Sequence, residues 1–294
     1  MNRTTRRGGL GAALLGLKSA LQWRLWLLWI LATLVPTLLV AVPLWSTLDM
    51  QFGHSVHAGR IASGDNVALL MQGFGELSEH MGWFPGSLGA STVLMLLLSP
   101  WLTGMVVASM RAGRRLGFGE LIRGGLAEYW RLLRMMLWSL IPLGIALAVG
   151  GGILGALKDG SEGAIVAADV ESATRTGMIV LALLFVLAHA TVEAGRGWLG
   201  ADLALRSVIK AWWRGLMLLL RRPLATLLVY LVASIAGYGL ALLFAWLRLE
   251  VDGAGGSAAL LGFLAAQGVV AMLAFGRIAR LYGLGALAEA RMAR

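Results

Sequence analysis

The chain contains no cysteine. That excludes a disulfide framework, a thiolate metal site and a cysteine nucleophile. Charge is scarce too. Only 14% of the 294 residues are Asp, Glu, Lys or Arg, where a soluble domain carries about 25%. Lysine is nearly absent: Arg outnumbers Lys 22 to 3, a usage that points to a GC-rich bacterial gene. No Gly-x-x-x-x-Gly-Lys-Ser/Thr phosphate loop, Gly-x-Ser-x-Gly elbow or His-Glu-x-x-His motif occurs, which removes the usual marks of an ATPase, a serine hydrolase and a zinc protease. What is plentiful is apolar. Hydrophobic residues make up 59% of the chain and mean hydropathy is +0.79. A soluble globule cannot bury that much apolar surface and still present a polar coat, and a disordered chain has the opposite composition. An integral membrane protein remains.

A hydrocarbon core of about 30 Å takes roughly 20 apolar residues per helix. Six stretches qualify, at about 25–45, 89–110, 135–157, 177–195, 223–247 and 258–282. Lipid offers the backbone no hydrogen-bond partner, so each reads as a helix, and the short alternating segments of a barrel are absent. The expected fold is one all-α membrane domain of six transmembrane helices. Segment 1–24 is a cytoplasmic amphipathic N-terminus and 46–88 is a periplasmic loop. Of the 25 basic residues, 21 fall on one side of this threading, and 10 of the 15 acidic residues on the other. The positive-inside rule then puts both termini in the cytoplasm of a bacterial inner membrane. Thr5-Arg6-Arg7 hints at a twin-arginine export signal, but the apolar stretch that starts at Leu25 ends without a small-residue cleavage site. An uncleaved first span is the expectation.

Three basic, amphipathic stretches each precede an outgoing span. Leu10, Leu14, Leu17 and Leu21 share a face in the first. Ile122, Leu126, Tyr129, Trp130 and Leu133 do so in the second, and Leu205, Val208, Ile209, Trp212 and Leu216 in the third. Each reaches a Trp-Arg pair: Trp23-Arg24, Trp130-Arg131 and Trp213-Arg214. This predicts a threefold repeat of interfacial helix plus membrane hairpin, with parallel copies, unlike the inverted repeats of many transporters. The interfacial helices serve as topological anchors or as recognition surfaces for anionic lipid headgroups. Candidate lipid-facing cations are Arg114, Arg115, Arg123, Arg131, Arg206, Lys210, Arg214, Arg221 and Arg222. Pro36, Pro100 and Pro142 lie inside spans and are expected to kink them. Gly151 with Gly155, and Ala233 with Gly237, are candidate close-packing pairs, within the chain or at a dimer face.

Ionisable groups inside a membrane mark function more often than not. Few occur. His189, Glu193 and Arg196 lie in the inner half of the fourth span, where Glu193 and Arg196, three apart, can pair. They are either a gate or a helix-end ion pair beside a buried His. Gln267 lies mid-span and can bond another helix, with Ser91, Thr92, Ser99 and Thr103 as candidate partners, or contact a substrate. In the loop 46–88, Asp65 is placed to cap a helix with apolar face Val67, Leu70, Met71, Phe74, Leu77 and Met81. His54, His57 and His80, with Glu76 and Glu79, are the weak candidate metal ligands there; otherwise they are solvated. Gly283-Leu-Gly285 follows a membrane helix rather than a strand, so it is no dinucleotide fingerprint. No cofactor is expected.

Gly53-His54-Ser55, Gly119-Glu120 leading to Tyr129-Trp130-Arg131-Leu132-Leu133-Arg134, Glu193-x-x-Arg196, Arg206-Ser207 and Leu220-Arg221-Arg222-Pro223 together resemble the pattern of a group of uncharacterised bacterial six-helix inner-membrane proteins. In that group the acid at position 193 is commonly Asp, so Glu193 departs from it. More distantly the chain resembles the membrane domain fused to some glycerophosphodiester phosphodiesterases, without the phosphodiesterase domain itself. The resemblance implies fold and location and no activity. Three functions stay open. The expected one is a non-catalytic accessory, assembly or lipid-interacting membrane subunit, partnered by anionic lipids and by a membrane protein or a second copy, with no nucleic acid. The alternatives are a transporter with a cavity between Pro-kinked helices, His189 and Gln267, and a metal-dependent membrane enzyme using the outer-loop His and Glu residues.

Overall fold

The computed structural model describes residues 8–57, 67–160, 167–251 and 256–293, and these form helices joined by short connections, with no strand among them. The helices are α1 (Gly9–Ser19), α2 (Trp23–Phe52), α3 (Val67–His80), α4 (Phe84–Ala112), α5 (Phe118–Asp159), α6 (Ala167–Ala201), α7 (Val208–Arg221), α8 (Pro223–Leu249) and α9 (Gly256–Met292). Six of them, α2, α4, α5, α6, α8 and α9, are long and apolar enough to cross a membrane. They match the six expected spans but extend well past them. Pro36, Pro43, Pro100 and Pro142 all lie within continuous helices. Asp65 falls outside the described residues, though the helix expected to follow it is present as α3.

Helix ends follow local chemistry. The Glu120 carboxylate accepts the Gly117 N–H at 2.8 Å and steadies the first turn of α5. The Ser207 hydroxyl accepts from the Lys210 N–H at the start of α7. Pro223 opens α8 at a position where its missing N–H costs nothing. Gly113, between α4 and α5, has φ of +62°, a left-handed conformation that disfavours any side chain.

The chain divides into two compact units, Leu28–Ser99 and Met1–Leu27 with Pro100–Arg294. In the smaller unit, Ser91 Oγ donates to the Pro36 carbonyl at 2.8 Å, and Trp83 Nε1 donates to Thr47 Oγ1 at 3.1 Å. The larger unit holds the packed core. Its buried residues concentrate near the end of α6 (190–200), along the second half of α9 (274–288) and on one side of α7. Elsewhere the long helices present leucine, isoleucine and phenylalanine outward, as expected of surface that meets hydrocarbon.

The first two amphipathic stretches keep their leucine faces outward and pack largely through small residues. In and just after α1 the leucines at 10, 14 and 21 are exposed, while Ala12, Ala13, Gly16 and Ala20 are buried. A Cβ on Gly16 would collide with the Ala279 carbonyl of α9. Likewise Leu126 and Trp130 face outward, and Leu121, Gly125 and Leu132 pack inward. In lipid the apolar face has no reason to turn inward, and small residues win the helix contacts because backbones can approach there. The three stretches also differ from one another. The first and third are separate helices, and the second runs unbroken into its span as the 42-residue α5.

One expectation is corrected, that Gly151 and Gly155 pack closely within the chain. A Cβ on either would meet nothing within 4 Å. The close contacts lie one residue before, at Gly150 against Leu181, and across the hairpin at Gly177 against Leu154. Gly151→Ala is therefore expected to be neutral or to stabilise by about 0.5–1 kcal/mol through helix propensity. Gly177→Ala, whose Cβ would sit 2.9 Å from Leu154 Cα, should destabilise. Thermal unfolding of the two variants in one detergent separates them. The other candidate pair does pack: Gly237 of α8 lies against the Gly276 backbone of α9, with Ala233 buried beside it.

Candidate functional site

Three features of the larger unit carry chemistry. The first is a buried ionic network. His189, Glu193 and Arg196 share one face of α6, at successive turns. Glu193 is only 1% exposed. Its Oε1 accepts from Arg196 Nη1 at 2.5 Å and lies 3.9 Å from His189 Nε2. Its Oε2 lies 3.7 Å from Arg280 Nε of α9. Arg280 Nη1 donates to Ser234 Oγ at 3.0 Å, and its guanidinium sits 5.5 Å over the Tyr230 ring. His189 Nδ1 and the Tyr230 hydroxyl share a hydrogen bond of 2.8 Å, and the imidazole stacks on Phe185. Arg277, one turn before Arg280, donates to Thr103 Oγ1 of α4 at 3.0 Å. Three guanidiniums thus gather about one carboxylate where α4, α6, α8 and α9 converge.

The expected Glu193–Arg196 pair is present, and His189 is half-buried beside it. Tyr230, Ser234, Arg277 and Arg280 are members that sequence reasoning does not find. By sequence the two arginines read as ordinary cytoplasmic charges at the end of the sixth span. Only their three-residue spacing, on a helix otherwise rich in Ala and Gly there, hints at a shared face. Gln267, expected to bridge helices, makes no hydrogen bond among the described residues. Of its expected partners, Ser91 bonds Pro36, Thr92 bonds the Leu88 carbonyl and Thr103 accepts from Arg277.

A second network ties α4 to α5 and α6. Arg111 donates to Glu128 at 2.6 Å and caps the α6 C-terminus by donating to the Leu199 carbonyl. Arg131 pairs with the other Glu128 oxygen and donates to the Leu205 carbonyl. Arg131 is thus half-buried in an ion pair with Glu128. Among the other cations, Arg114 pairs with Glu120, and Arg214 pairs with Asp202 while lying over the Trp198 ring. Burial works against ionisation of Asp202, but the Arg214 hydrogen bond and the Ala204 N–H outweigh it and hold the carboxyl below its ordinary range. Arg115, Arg123, Arg206, Lys210 and Arg221 are exposed, and Arg222 is half-exposed.

The third feature is an apolar groove of about 670 Å³ between α5, α6, α7 and α8. Trp138, Pro142, Ala188 and Leu216 form its walls, and Leu220 and Pro223 its end. It lies on the face of α6 opposite the ionic network. The one hydroxyl in its lining, Thr191 Oγ1, is satisfied twice: it donates to the Ala188 carbonyl and accepts from Trp212 Nε1 at 3.0 Å.

The candidate metal ligands do not assemble among the described residues. His54 and His57 lie exposed in the turn after α2, and His80 Nδ1 meets its own helix's Glu76 carbonyl at 2.9 Å. No group of three or more His, Asp or Glu placed to hold a metal occurs among the described residues. Gly283 and Gly285, set aside as a nucleotide motif, are packing positions against Val229 and Met110. Compared with protein-family models, curated proteins and solved structures, the chain finds no match. Function has to be inferred from these three features.

Proposed function

We propose that the chain is a non-catalytic, multi-pass protein of the bacterial inner membrane, with both termini cytoplasmic, that interacts with anionic lipid as an accessory or assembly subunit. The observation that supports this reading best is α7. One side of this helix packs into the bundle through Val208, Ala211, Gly215 and Leu218. Its opposite side carries exposed Ile209, Lys210, Trp213, Arg214 and Arg221. Such a helix lies in the headgroup layer with its cations toward anionic lipid, each worth roughly 1 kcal/mol near the surface. Arg206, Lys210, Arg221 and Arg222 pair with no described carboxylate, so their charge is available to lipid. The ionic network, by contrast, joins four helices with its groups turned toward one another, which suits holding the bundle together.

The test is lipid analysis of the full chain extracted in a mild detergent from a membrane of known composition. Enrichment of phosphatidylglycerol or cardiolipin over phosphatidylethanolamine, relative to the bulk membrane, is the expected result. Bound lipid with the bulk composition would overturn the reading.

A further inference from the structure

We infer that the groove and the α7–α8 break form a binding site for one anionic phospholipid, with an acyl chain along the groove and the phosphate at Arg221, Arg222 and Arg291. The inference rests on the lipid-interacting reading and narrows it to a single site.

The groove supplies the apolar half. Its walls are mostly carbon, its one hydroxyl has both roles filled within the protein, and of its two indole N–H groups Trp212 Nε1 donates to Thr191 while Trp138 Nε1 is buried without a partner among the described residues. One indole N–H apart, the lining is apolar, and hydrocarbon fills such a space at little cost in lost hydrogen bonds. The groove opens to the outside of the bundle, which suits a chain that remains joined to a headgroup.

The chain break supplies the polar half. Leu220 and Pro223 both line the groove, and the two residues between them are Arg221 and Arg222. The backbone leaves the helix at Arg222, with φ of −141° and ψ of 58°, because Pro223 starts a new helix there. Arg291, near the end of α9, donates to the Met217 carbonyl of α7 at 3.3 Å and lies within electrostatic reach of both Arg221 and Arg222. Three guanidiniums therefore share one corner, and none pairs with a described carboxylate. Like charges left together in this way repel, and a phosphate relieves that repulsion. Guanidinium also matches phosphate geometry through paired N–H donors. A choline or ethanolamine headgroup would bring its own cation into the same corner, so the site favours a phospholipid with net negative charge.

The experiment uses the full chain, delipidated in a mild detergent and titrated separately with dioleoyl phosphatidylglycerol and dioleoyl phosphatidylcholine. Native mass spectrometry reads the number of lipids bound. One tightly held phosphatidylglycerol per chain is expected, with phosphatidylcholine at least about tenfold weaker. The double variant R221Q/R222Q changes one exposed and one half-exposed side chain, neither paired with a described carboxylate. It should weaken phosphatidylglycerol binding by roughly ten- to thirtyfold and leave phosphatidylcholine unchanged. Ala188→Phe, which fills the groove, should weaken both lipids. Phosphatidylglycerol held equally well by the wild type, R221Q/R222Q and A188F would overturn this site and leave the broader lipid-interacting reading standing. No preference for phosphatidylglycerol in the wild type would overturn both.

Discussion

Glu193→Ala is expected to destabilise the bundle by about 3–5 kcal/mol, the usual consequence of removing one partner from a buried ion pair. The lost attraction is the smaller part of this. The variant leaves Arg196 and Arg280, both at least nine-tenths buried, facing each other and Arg277 with no carboxylate between them. Guanidinium does not shed its charge to escape such a site. The helices must instead move apart or admit water. Glu193→Gln keeps an acceptor for Arg196 Nη1 but loses the charge, so it should fall between wild type and Glu193→Ala. Unfolding in mixed micelles of a mild and a denaturing detergent measures the series. A cost below about 1 kcal/mol for Glu193→Ala would mean that the network does not hold α6, α8 and α9 together. Because α6 also carries the groove wall on its opposite face, lipid binding should weaken in step with stability.

Gly215→Ala should cost about 1–3 kcal/mol, and Gly215→Val should prevent assembly of α7 on the bundle. A Cβ at Gly215 would lie 2.5 Å from the Gly195 nitrogen and 2.6 Å from the Thr191 carbonyl oxygen. These are backbone atoms of α6, so no rotamer change relieves the clash; α7 has to move away as a body. The shift would also stretch the hydrogen bond from Trp212 to Thr191 and open the groove. Thermal unfolding monitored by tryptophan fluorescence checks both effects. An unfolding midpoint equal to wild type in Gly215→Ala would show that α7 does not pack at this distance.

These two residues differ in how visible they are from sequence. Glu193 and Arg196, three apart on an apolar helix, identify themselves as a pair, because an unpaired charge there is too costly to keep. Their partners Arg280, Tyr230 and Ser234 lie 37 to 87 positions away from Glu193 in sequence, and no local spacing connects them. Gly215 sits in a clearly amphipathic helix, yet nothing in its neighbourhood separates it from Gly151, whose Cβ would meet only open space. A glycine matters for packing only if another backbone comes close to it, and that is decided by the partner helix.

The sequence by itself determined the class of the protein, the number of its long apolar helices and nearly all their positions. Those follow from the cost of exposing apolar side chains to water and bare backbone to lipid, which outweighs every other local preference and is read residue by residue. Which face of each helix turns inward was decided only by the tertiary structure. In water a leucine stripe seeks the core. Against hydrocarbon that preference vanishes, so α1 shows Leu10 and Leu14 outward and presses Ala12, Ala13 and Gly16 against α9. The same change of solvent explains why Arg131 went inward to Glu128, and why Arg277 and Arg280 joined Glu193 from the far end of the chain. Contacts between helices in a membrane are chosen by shape and by paired charge, and both depend on the partner.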